Sequence, residues 1–316
     1  MTPRPAVRAA GTVHEAGGGV YRVRLDDGSD IAAALRGRLK REQRTGDRVV
    51  IGDRVEVAGT GEGWTVESVE PRRNELARRG PGGRGAKVVA ANLDHVLVVV
   101  AARAPAVRAD LVDRFLVIIE ASDLHPRLVI NKVDLPGAAE VAEELRSLYE
   151  GVGYQVLLTS VRTGLGLDGL ESVVCRGISA LIGPSGAGKS SLLNAVDPHL
   201  GLATGALSRK AGRGRHTTVS ARMIALECGG WVADTPGFSD VGLWQVEPGR
   251  LEACFPEFEP FLGLCRFRGC AHLEEPDCSV KAALERGEIA PSRYRTYERL
   301  MREARESASP SSDRGG

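Results

Sequence analysis

The segment LIGPSGAGKSSLLN, residues 181–194, constrains the fold more than any other part of the chain. It contains GPSGAGKS, which matches the pattern G-x-x-x-x-G-K-S, directly after the apolar run ISALI and before the run SLLNAV. A strand, a glycine-rich turn and a helix in this order form a cradle of backbone N–H groups for phosphates, and the positive end of the helix points at the same charge. The sequence therefore predicts a P-loop in a doubly wound α/β domain.

Each residue type in this pattern has a role. The glycines let the backbone wrap the phosphates, Lys189 reaches the β- and γ-phosphates, and the Ser190 hydroxyl ligates Mg²⁺. The predicted nucleotide-binding residues of the loop are Gly183, Pro184, Ser185, Gly186, Ala187, Gly188, Lys189, Ser190 and Ser191. A second motif, DTPG, ends a further apolar strand, so we expect Asp234 to hold Mg²⁺ through a water and the Gly237 N–H to sense the γ-phosphate.

A base-reading pattern, NKVD, begins at Asn131, ahead of the P-loop. Asp134 can accept hydrogen bonds from guanine N1–H and its exocyclic amine, which adenine does not offer in that arrangement, so a pocket around this carboxylate disfavours ATP. Asn131 would brace neighbouring loops, and the stem of Lys132 would lie along the base. The run TSVRTGLG ends the next predicted strand and fits a loop whose backbone contacts the base oxygen, with Ser160 as the best candidate.

The run GRGRHTTV, residues 212–219, is the predicted first switch segment. Thr217 or Thr218 would complete the Mg²⁺ shell, and we favour Thr218. The position after the D-x-x-G motif, where many GTPases place a water-orienting Gln, holds Phe238, which cannot orient water. His216 is therefore a candidate catalytic residue together with Lys189, and the alternative is a loop histidine that only contacts a partner or solvent.

Four soft ligands lie within 14 residues near the C-terminus in the spacing C-x4-C-x-H-x5-C. They are Cys265, Cys270, His272 and Cys278. This set suits a closed tetrahedral site for one structural zinc ion. We expect a cytoplasmic protein, in which disulfides are not expected, so Cys175, Cys228 and Cys254 are predicted to lie in cores.

The hydrophobic pattern and the motifs together predict three regions along the chain. Residues 1–75 contain short alternating strands with glycine-rich turns, which favour a small barrel such as an OB-fold that binds RNA, although another barrel with a structural role fits as well. Residues 76–241 begin with RRGPGGRGAK, a predicted linker or mobile loop, and continue as a six-strand α/β domain. Residues 242–316 hold the Cys/His cluster, two helices and the tail SASPSSDRGG, which we expect to be disordered.

The net charge of the whole chain is only +1, and the basic residues are concentrated in two local segments. Arginine-rich stretches at 36–48 and 72–87 suggest contact with nucleic-acid phosphates, although a solvated surface explains them equally well. No window approaches the ~18 apolar residues that span a bilayer, and the N-terminus is too short and polar for a signal peptide, so no membrane partner is expected.

The motif order is NKVD, TSVRTG, P-loop, switch, DTPG, which is a circular permutation of the GTPase core. With GRGRHTT, DTPGF and the C-x4-C-x-H-x5-C cluster, the chain resembles the RsgA (YjeQ) family of circularly permuted GTPases over nearly its whole length. The resemblance implies an OB-fold barrel, a permuted P-loop GTPase domain and a helical zinc-binding domain. It also implies a monomeric factor in late maturation of the small ribosomal subunit. That factor would bind GTP or GDP and rRNA, and its weak GTP hydrolysis would be stimulated by the subunit.

The permutation also suggests a mechanical role, because DTPGFSDVGLW runs straight into the Cys/His region. Hydrolysis could then reorient that region without a long relay. Three other functions compete with this reading. They are an ATP-using P-loop enzyme such as a kinase, a nucleotide-regulated RNA-binding protein with little catalysis, and a permuted GTPase that acts on a different RNA or at a membrane.

Overall fold

Five strands near the N-terminus close into a small barrel. The computed structural model describes residues 7–37, 39, 48–60, 63–79, 86–105, 107–203, 221–234 and 246–308. The barrel strands are β1 (Val7–Gly17), β2 (Val20–Leu25), β3 (Asp30–Leu35), β4 (Arg54–Thr60) and β5 (Gly63–Val69). They pair in the order β1-β2-β3-β5-β4, and β4 pairs back onto β1. Val13, Val23 and Val66 fill the interior, as the period-two alternation predicts, so the expected N-terminal barrel is confirmed.

A hairpin follows the barrel. Its strands are β6 (Glu75–Arg79) and β7 (Ala86–Ala91). The prediction of a linker at 78–87 is therefore wrong at both ends of this segment, because Arg78 pairs with Lys87 in the antiparallel ladder. The middle of the segment lies outside the described residues. The hairpin is anchored because Leu76 and Ala90 are fully buried in the core of the next domain.

The next domain is built on six strands. They are β8 (His95–Ala101), β9 (Pro126–Asn131), β10 (Gln155–Thr159), β11 (Ile178–Ile182), β12 (Ala221–Ala225) and β13 (Trp231–Asp234). Their order is β10-β9-β8-β11-β13-β12, and only β12 runs antiparallel to its neighbour. The helices are α1 (Ala109–Glu120), α2 (Ala138–Gly151), α3 (Leu167–Val174) and α4 (Lys189–Val196). This arrangement confirms the predicted α/β domain.

Helices cover both faces of this sheet. Along β8, Val98 packs into a core that includes α1 and α2, while Leu97 and Val99 pack into a second core that includes α3 and α4. A strand buried on both faces reads as a continuous apolar run, which explains the sequence DHVLVVVAA.

The barrel and the α/β domain share one hydrogen-bonded sheet. Strand β1 pairs antiparallel with β12, with Glu15 opposite Arg222 and Ala16 opposite Ala221, which gives an 11-stranded sheet. Pairing on the edge strand β12 covers backbone groups that would otherwise be exposed. The barrel is thus fixed to the strand that follows the predicted first switch segment.

The C-terminal region has its own core. Its elements are α5 (Pro248–Leu251), α6 (Ser279–Glu285), α7 (Pro291–Ala308) and two 3-10 turns at Glu252–Cys254 and Pro256–Phe261. Phe255, Phe258 and Tyr297 are fully buried and contact one another, with ring centroids 4.8–5.2 Å apart. The predicted tail begins two residues too early, because α7 continues to Ala308 and the rest of the tail lies outside the described residues.

A buried arginine joins this region to the α/β domain. The Arg293 guanidinium on α7 has no exposed area and donates to Asp113 Oδ1 on α1 at 2.8 Å and to Glu257 at 2.7 Å. Tyr149 on α2 donates to the same Asp113 oxygen at 2.7 Å. Removing one partner of a buried ion cluster costs about 3–5 kcal/mol because the other charge is left unpaired. Any reorientation of the C-terminal region away from α1 must break this cluster.

One pair of cysteines departs from the sequence expectation. Cys175 ends α3 and is disulfide-bonded to Cys228 in the turn between β12 and β13, with Cα atoms 5.4 Å apart. The prediction that both lie unpaired in cores is therefore wrong, and Cys228 is exposed. Their separation of 53 residues along the chain hides the proximity that the fold creates. Cys254 is buried, as expected.

Part of the basic sequence is structural. The Arg72 guanidinium donates to Asp53 Oδ1 at 2.7 Å, to Glu75 at 2.9 Å and to the Arg48 carbonyl at 2.7 Å. The Arg72 side chain therefore ties the start of β6 to the barrel. Its donors are used inside the protein and do not face a partner. Within the described residues, no helix combines the length and apolar character needed to cross a membrane.

Candidate nucleotide site and metal centre

The sequence motifs converge at one edge of the α/β sheet. Asn131 is the last residue of β9, Ile182 of β11, Thr159 of β10 and Asp234 of β13. Because the carboxyl ends of parallel strands open into one crevice, the loops after these strands can line a single ligand site. The reversed order along the chain therefore does not separate the motifs in space.

Two P-loop positions require glycine because neighbouring atoms lie too close to their backbone for a side chain. Gly183 has φ +138°, and a Cβ there would lie 2.0 Å from the Val99 carbonyl oxygen. Gly188, the N-cap of α4, has φ +99°, and a Cβ there would lie 2.3 Å from Nδ2 of Asn131. Both positions combine a left-handed backbone with no room for a side chain, so the loop can reach this shape only with glycine.

The ammonium of Lys189 is folded back over the loop. Its Nζ donates to the carbonyls of Gly183 at 2.6 Å and Pro184 at 3.0 Å. Burial lowers the pKa of this amine to about 8, because the charged form is taken out of water. A phosphate anion beside this ammonium would supply a countercharge. Ser190, the next residue, is also buried in the first turn of α4.

Asn131 connects the base-reading motif to the P-loop. Its Nδ2 donates to the Ala187 carbonyl at 3.0 Å, and its Oδ1 accepts from the Thr159 hydroxyl at 3.2 Å. All three groups are buried, so both ends of the amide are satisfied away from water. The bracing role predicted for Asn131 has a definite partner in this contact.

Lys132 makes a second connection between the same two motifs. Its backbone is left-handed, with φ +62°, and its Nζ donates to the Gly186 carbonyl at 2.7 Å and to the Ala104 carbonyl. The ammonium thus contacts the backbone of the P-loop. The Ala104 contact comes from the loop after β8, which no sequence motif marks.

Asp134 lies between two donors. Ser160 Oγ donates to its Oδ1 at 2.6 Å, and Arg162 Nε donates to its Oδ2 at 2.7 Å. The Ser160 hydroxyl, and then Arg162, hold the pKa of this carboxyl below its usual range. Ser160, which the sequence predicts in the loop that contacts the base, therefore contacts Asp134. Arg162 was not predicted, although a cation two residues after Ser160 in TSVRTGLG is a usable signal.

Asp234, the last residue of β13, is a half-buried carboxylate. Burial raises the pKa of its carboxyl, and among the described residues Arg222 opposes this shift, with Nε 3.6 Å from Oδ2. A half-buried carboxylate of this kind fits a Mg²⁺ ion beside phosphates. The predicted switch residues His216, Thr217, Thr218 and Gly237, together with Phe238, lie outside the described residues.

The Cys/His cluster has the dimensions of a tetrahedral metal site. The ligand atoms of Cys265, Cys270, His272 and Cys278 all lie within 4.8 Å of one another. His272 Nδ1 is 3.3 Å from Cys278 Sγ and 3.5 Å from Cys265 Sγ, and the two sulfurs are 3.9 Å apart. Tetrahedral zinc with bonds of about 2.0–2.3 Å gives ligand separations of about 3.5–3.8 Å. The four residues therefore fit a metal ion.

Glu252 orients the histidine of this cluster. His272 Nε2 lies 2.9 Å from Glu252 Oε2, so this nitrogen carries the proton and Nδ1 turns its lone pair toward the three sulfurs. Glu252 is 20 residues away in sequence and belongs to no motif, so sequence reasoning missed it.

Comparison with known proteins gives consistent matches. Residues 69–244 match the family described as RsgA GTPase. The protein named Small ribosomal subunit biogenesis GTPase RsgA from Gemmatimonas aurantiaca is 47% identical, covering 93% of this chain and 96% of that protein. The protein of the same name from Moorella thermoacetica is 42% identical, covering 91% of this chain and 94% of that protein.

Two solved structures share the fold over nearly the whole chain. YjeQ from Thermotoga maritima superposes with a TM-score of 0.78 at 34% identity, covering 94% of this chain and 99% of that one. YloQ, described as a circularly permuted GTPase, gives a TM-score of 0.73 at 30% identity, covering 96% of this chain and 97% of that one.

The contact between Asn131 and the P-loop predicts a specific non-additivity. Gly188→Ala should destabilise the chain by about 1–2 kcal/mol from its left-handed backbone alone, and by more because its methyl meets the Asn131 amide. Adding Asn131→Ala removes the obstructing amide, so the double variant should lose less stability than the sum of the two single variants. Urea unfolding of the four proteins measures this difference.

Gly183→Ala is the matched control for this cycle. Its methyl would meet the backbone carbonyl of Val99, which no change at Asn131 relieves, so its effect should add to that of Asn131→Ala. Equal coupling energies in the two cycles would contradict the contact described here.

Proposed function

Because the chain belongs to the RsgA family of GTPases, we propose that it binds the small ribosomal subunit and hydrolyses GTP during late maturation of that subunit. The hydrogen bond from Asn131 to Ala187 carries the proposal. It joins a guanine-reading motif and a P-loop, far apart in sequence, into one site. The small ribosomal subunit as the partner is inferred from the names of the relatives. A guanine nucleotide as the ligand is supported by the contacts of the site.

Guanine recognition rests on Asp134 in this proposal. Its carboxylate accepts from N1–H and the exocyclic amine of the base, while Ser160 holds one carboxylate oxygen from the opposite side. Asn131 keeps the base loop against the P-loop, and the Lys132 stem lines the base. An adenine base would leave the carboxylate without its donors, which is costly in a partly closed site.

Phosphate binding falls to the P-loop backbone and to Lys189. The loop Gly183–Ser191 wraps the phosphates, and Lys189 exchanges its two carbonyl partners for β- and γ-phosphate oxygens. Ser190, Thr218 or Thr217, and Asp234 hold Mg²⁺, which when bound neutralises charge on the transferred phosphoryl group. The Gly237 N–H senses the γ-phosphate. These roles rest on the motif matches and on the burial of Lys189, Ser190 and Asp234.

The attacking water is assigned to His216. Phe238 stands where a glutamine would orient that water, so a switch residue must replace it. Docking on the subunit would place His216 against the water, which makes hydrolysis depend on the partner.

A structural zinc ion completes the proposal. Three thiolates and one histidine are soft ligands that leave no open position, which favours a closed zinc site over a catalytic one. Metal at this site would hold the loops from Cys265 to Cys278 together, beside the buried aromatic core of the region.

The remaining features of the proposal follow from sequence and family. The chain is divided at 75/76 and 241/242 into barrel, GTPase and zinc-binding domains, and it acts in the cytoplasm as a monomer. The barrel and the arginine-rich segments would contact rRNA. Arg72 is not among those contacts, because its guanidinium is already paired inside the protein.

We expect small ribosomal subunits to raise the rate of GTP hydrolysis and large subunits not to do so. His216→Ala should lower the subunit-stimulated rate by about a hundredfold, because a positioned proton acceptor is lost, and should leave GTP binding intact. The assay is phosphate release with each subunit titrated against a fixed amount of the full chain.

His125→Ala is the matched control, since this histidine is almost fully exposed directly before β9, outside the motifs of the site. If the subunit stimulates GTP hydrolysis by His216→Ala as strongly as by the wild type, another group orients the water. Equal stimulation by large and small subunits would refute the proposed partner.

Metal analysis should find one zinc per chain. Cys270→Ser should lower that content, and Glu252→Gln should weaken zinc binding by about 10–100-fold, because the histidine loses the group that orients it. Cys254→Ser is the control, because this buried cysteine lies outside the cluster. A wild-type chain without zinc, whose cluster cysteines all react freely with a thiol reagent, would rule the site out.

A further inference from the structure

The bond between Cys175 and Cys228 lies at the edge of the sheet opposite the nucleotide site. Cys175 follows α3 and precedes β11, and the far end of β11 leads into the P-loop. Cys228 lies in the turn before β13, and the far end of β13 carries Asp234. The length of a strand therefore separates the two sulfurs from the P-loop and from Asp234. The proposed nucleotide chemistry does not account for this bond.

Backbone packing brings the two cysteines together without help from the sulfurs. The Trp231 N–H donates to the Gly177 carbonyl at 2.9 Å, which ties the start of β13 to the start of β11. A Cβ on Gly230 would lie 2.0 Å from the Val174 carbonyl oxygen and 2.8 Å from the Cα of Cys175, so the turn is pressed against the end of α3. The two cysteine Cα atoms are 5.4 Å apart, a separation that suits a disulfide. None of these backbone contacts uses a sulfur, so the two thiols stay within reach of each other after reduction.

The bond is accessible from solvent. Cys228 is exposed and Cys175 is half-buried, whereas the free cysteine Cys254 is buried. Thiol–disulfide exchange requires a thiolate to reach one of the two sulfurs, and exposed disulfides are the ones that small thiols reduce most readily. Disulfides of cytoplasmic proteins are usually transient bonds of this kind. The exposure of Cys228 therefore favours a bond that forms and breaks over a permanent structural one.

The bond restrains the β12–β13 hairpin, which carries two important connections. Strand β12 pairs with strand β1 of the barrel, and β13 ends at Asp234. The two cysteines are 53 residues apart, and the chain between them includes the P-loop and the predicted first switch segment. Without the bond, the turn keeps the hydrogen bond from the Glu227 N–H to Asp197 at 2.9 Å. Reduction therefore removes the covalent tie to α3 and leaves the hairpin folded.

We propose that Cys175 and Cys228 form a reversible exchange site for small thiols and disulfides, and that the state of this bond sets how firmly the β12–β13 hairpin is held to α3. This inference goes beyond the proposed function, because neither cysteine belongs to the nucleotide site or to the metal cluster.

The exchange proceeds in two steps with a small disulfide such as oxidised glutathione. The exposed Cys228 thiolate attacks one sulfur of that disulfide, forms a mixed disulfide and releases one glutathione thiolate. The Cys175 thiolate then attacks the Cys228 sulfur and releases the second glutathione thiolate. The two cysteines lose two electrons and two protons, and oxidised glutathione gains them as two thiols. Reduction by two glutathione thiols runs the same steps backwards.

Equilibration of the full-length chain in glutathione buffers tests the exchange. After alkylation of the free thiols, peptide mass spectrometry measures the fraction of Cys175 bonded to Cys228. This fraction should rise with the share of oxidised glutathione and should reach the same value from the reduced and the oxidised protein. Cys254 should be alkylated at every ratio, because it is buried. A bond that persists in reduced glutathione alone, or that never forms in oxidised glutathione alone, would overturn the proposal.

Stability and hydrogen exchange test the restraint on the hairpin. The melting temperature of the oxidised protein should exceed that of the reduced protein by about 5 °C or more, because the bond closes a long loop of the unfolded chain. Cys228→Ser should show no such difference, and Cys254→Ser should show the wild-type difference. Comparing the two redox states of each variant cancels any effect of the substitution itself. In the wild type, amide exchange in β12 and β13 should be faster after reduction, and equal exchange in both states would contradict the restraint.

Nucleotide binding separates this inference from the proposed function. The oxidised and reduced wild-type chains should bind GDP with equal affinity, because the bond lies at the opposite edge of the sheet from the P-loop. Loss of GDP affinity on reduction alone would contradict the separation of the two sites. The exchange and stability measurements use no nucleotide, so their outcome does not depend on whether the chain hydrolyses GTP.

Discussion

One buried amide holds the nucleotide site together. Asn131 ends β9, the P-loop follows β11, and β8 lies between these strands, so the Asn131 side chain reaches across to Ala187 to join the two motifs, as Lys132 reaches Gly186. The same amide occupies the space beside Gly188, which explains why that position has no room for a side chain. Since parallel strands open at one edge, the sheet order decides where the motifs meet, and the order along the chain does not.

The appended regions are fixed to this sheet by different means. The barrel is joined through backbone pairing of β1 with β12, and the C-terminal region is joined through the buried charge of Arg293 on Asp113. Both attachments lie on elements next to the proposed switch segments or on α1, and not on the P-loop. Neither attachment, as far as the described residues show, is made to the P-loop itself.

The sequence predicts the parts of this molecule that depend on local chemistry. The P-loop, NKVD and the Cys/His spacing each lie within a short segment, so residue type and spacing are enough to predict which residues would surround a phosphate, a base or a metal. Long-range contacts are not readable in this way. The Arg162 pair with Asp134, the Glu252 contact with His272 and the bond between Cys175 and Cys228 all join segments that only the fold brings together.

The most direct test of this account is the nucleotide preference of Asp134→Asn. An amide at this position presents a donor where guanine also has a donor and xanthine has an acceptor, so the variant should lose affinity for GDP and gain affinity for xanthosine diphosphate. The change should amount to about tenfold or more in each direction, since each mismatched buried hydrogen bond costs about 1–3 kcal/mol. Unchanged GDP affinity without any gain for the xanthine nucleotide would contradict the assignment of the base reader.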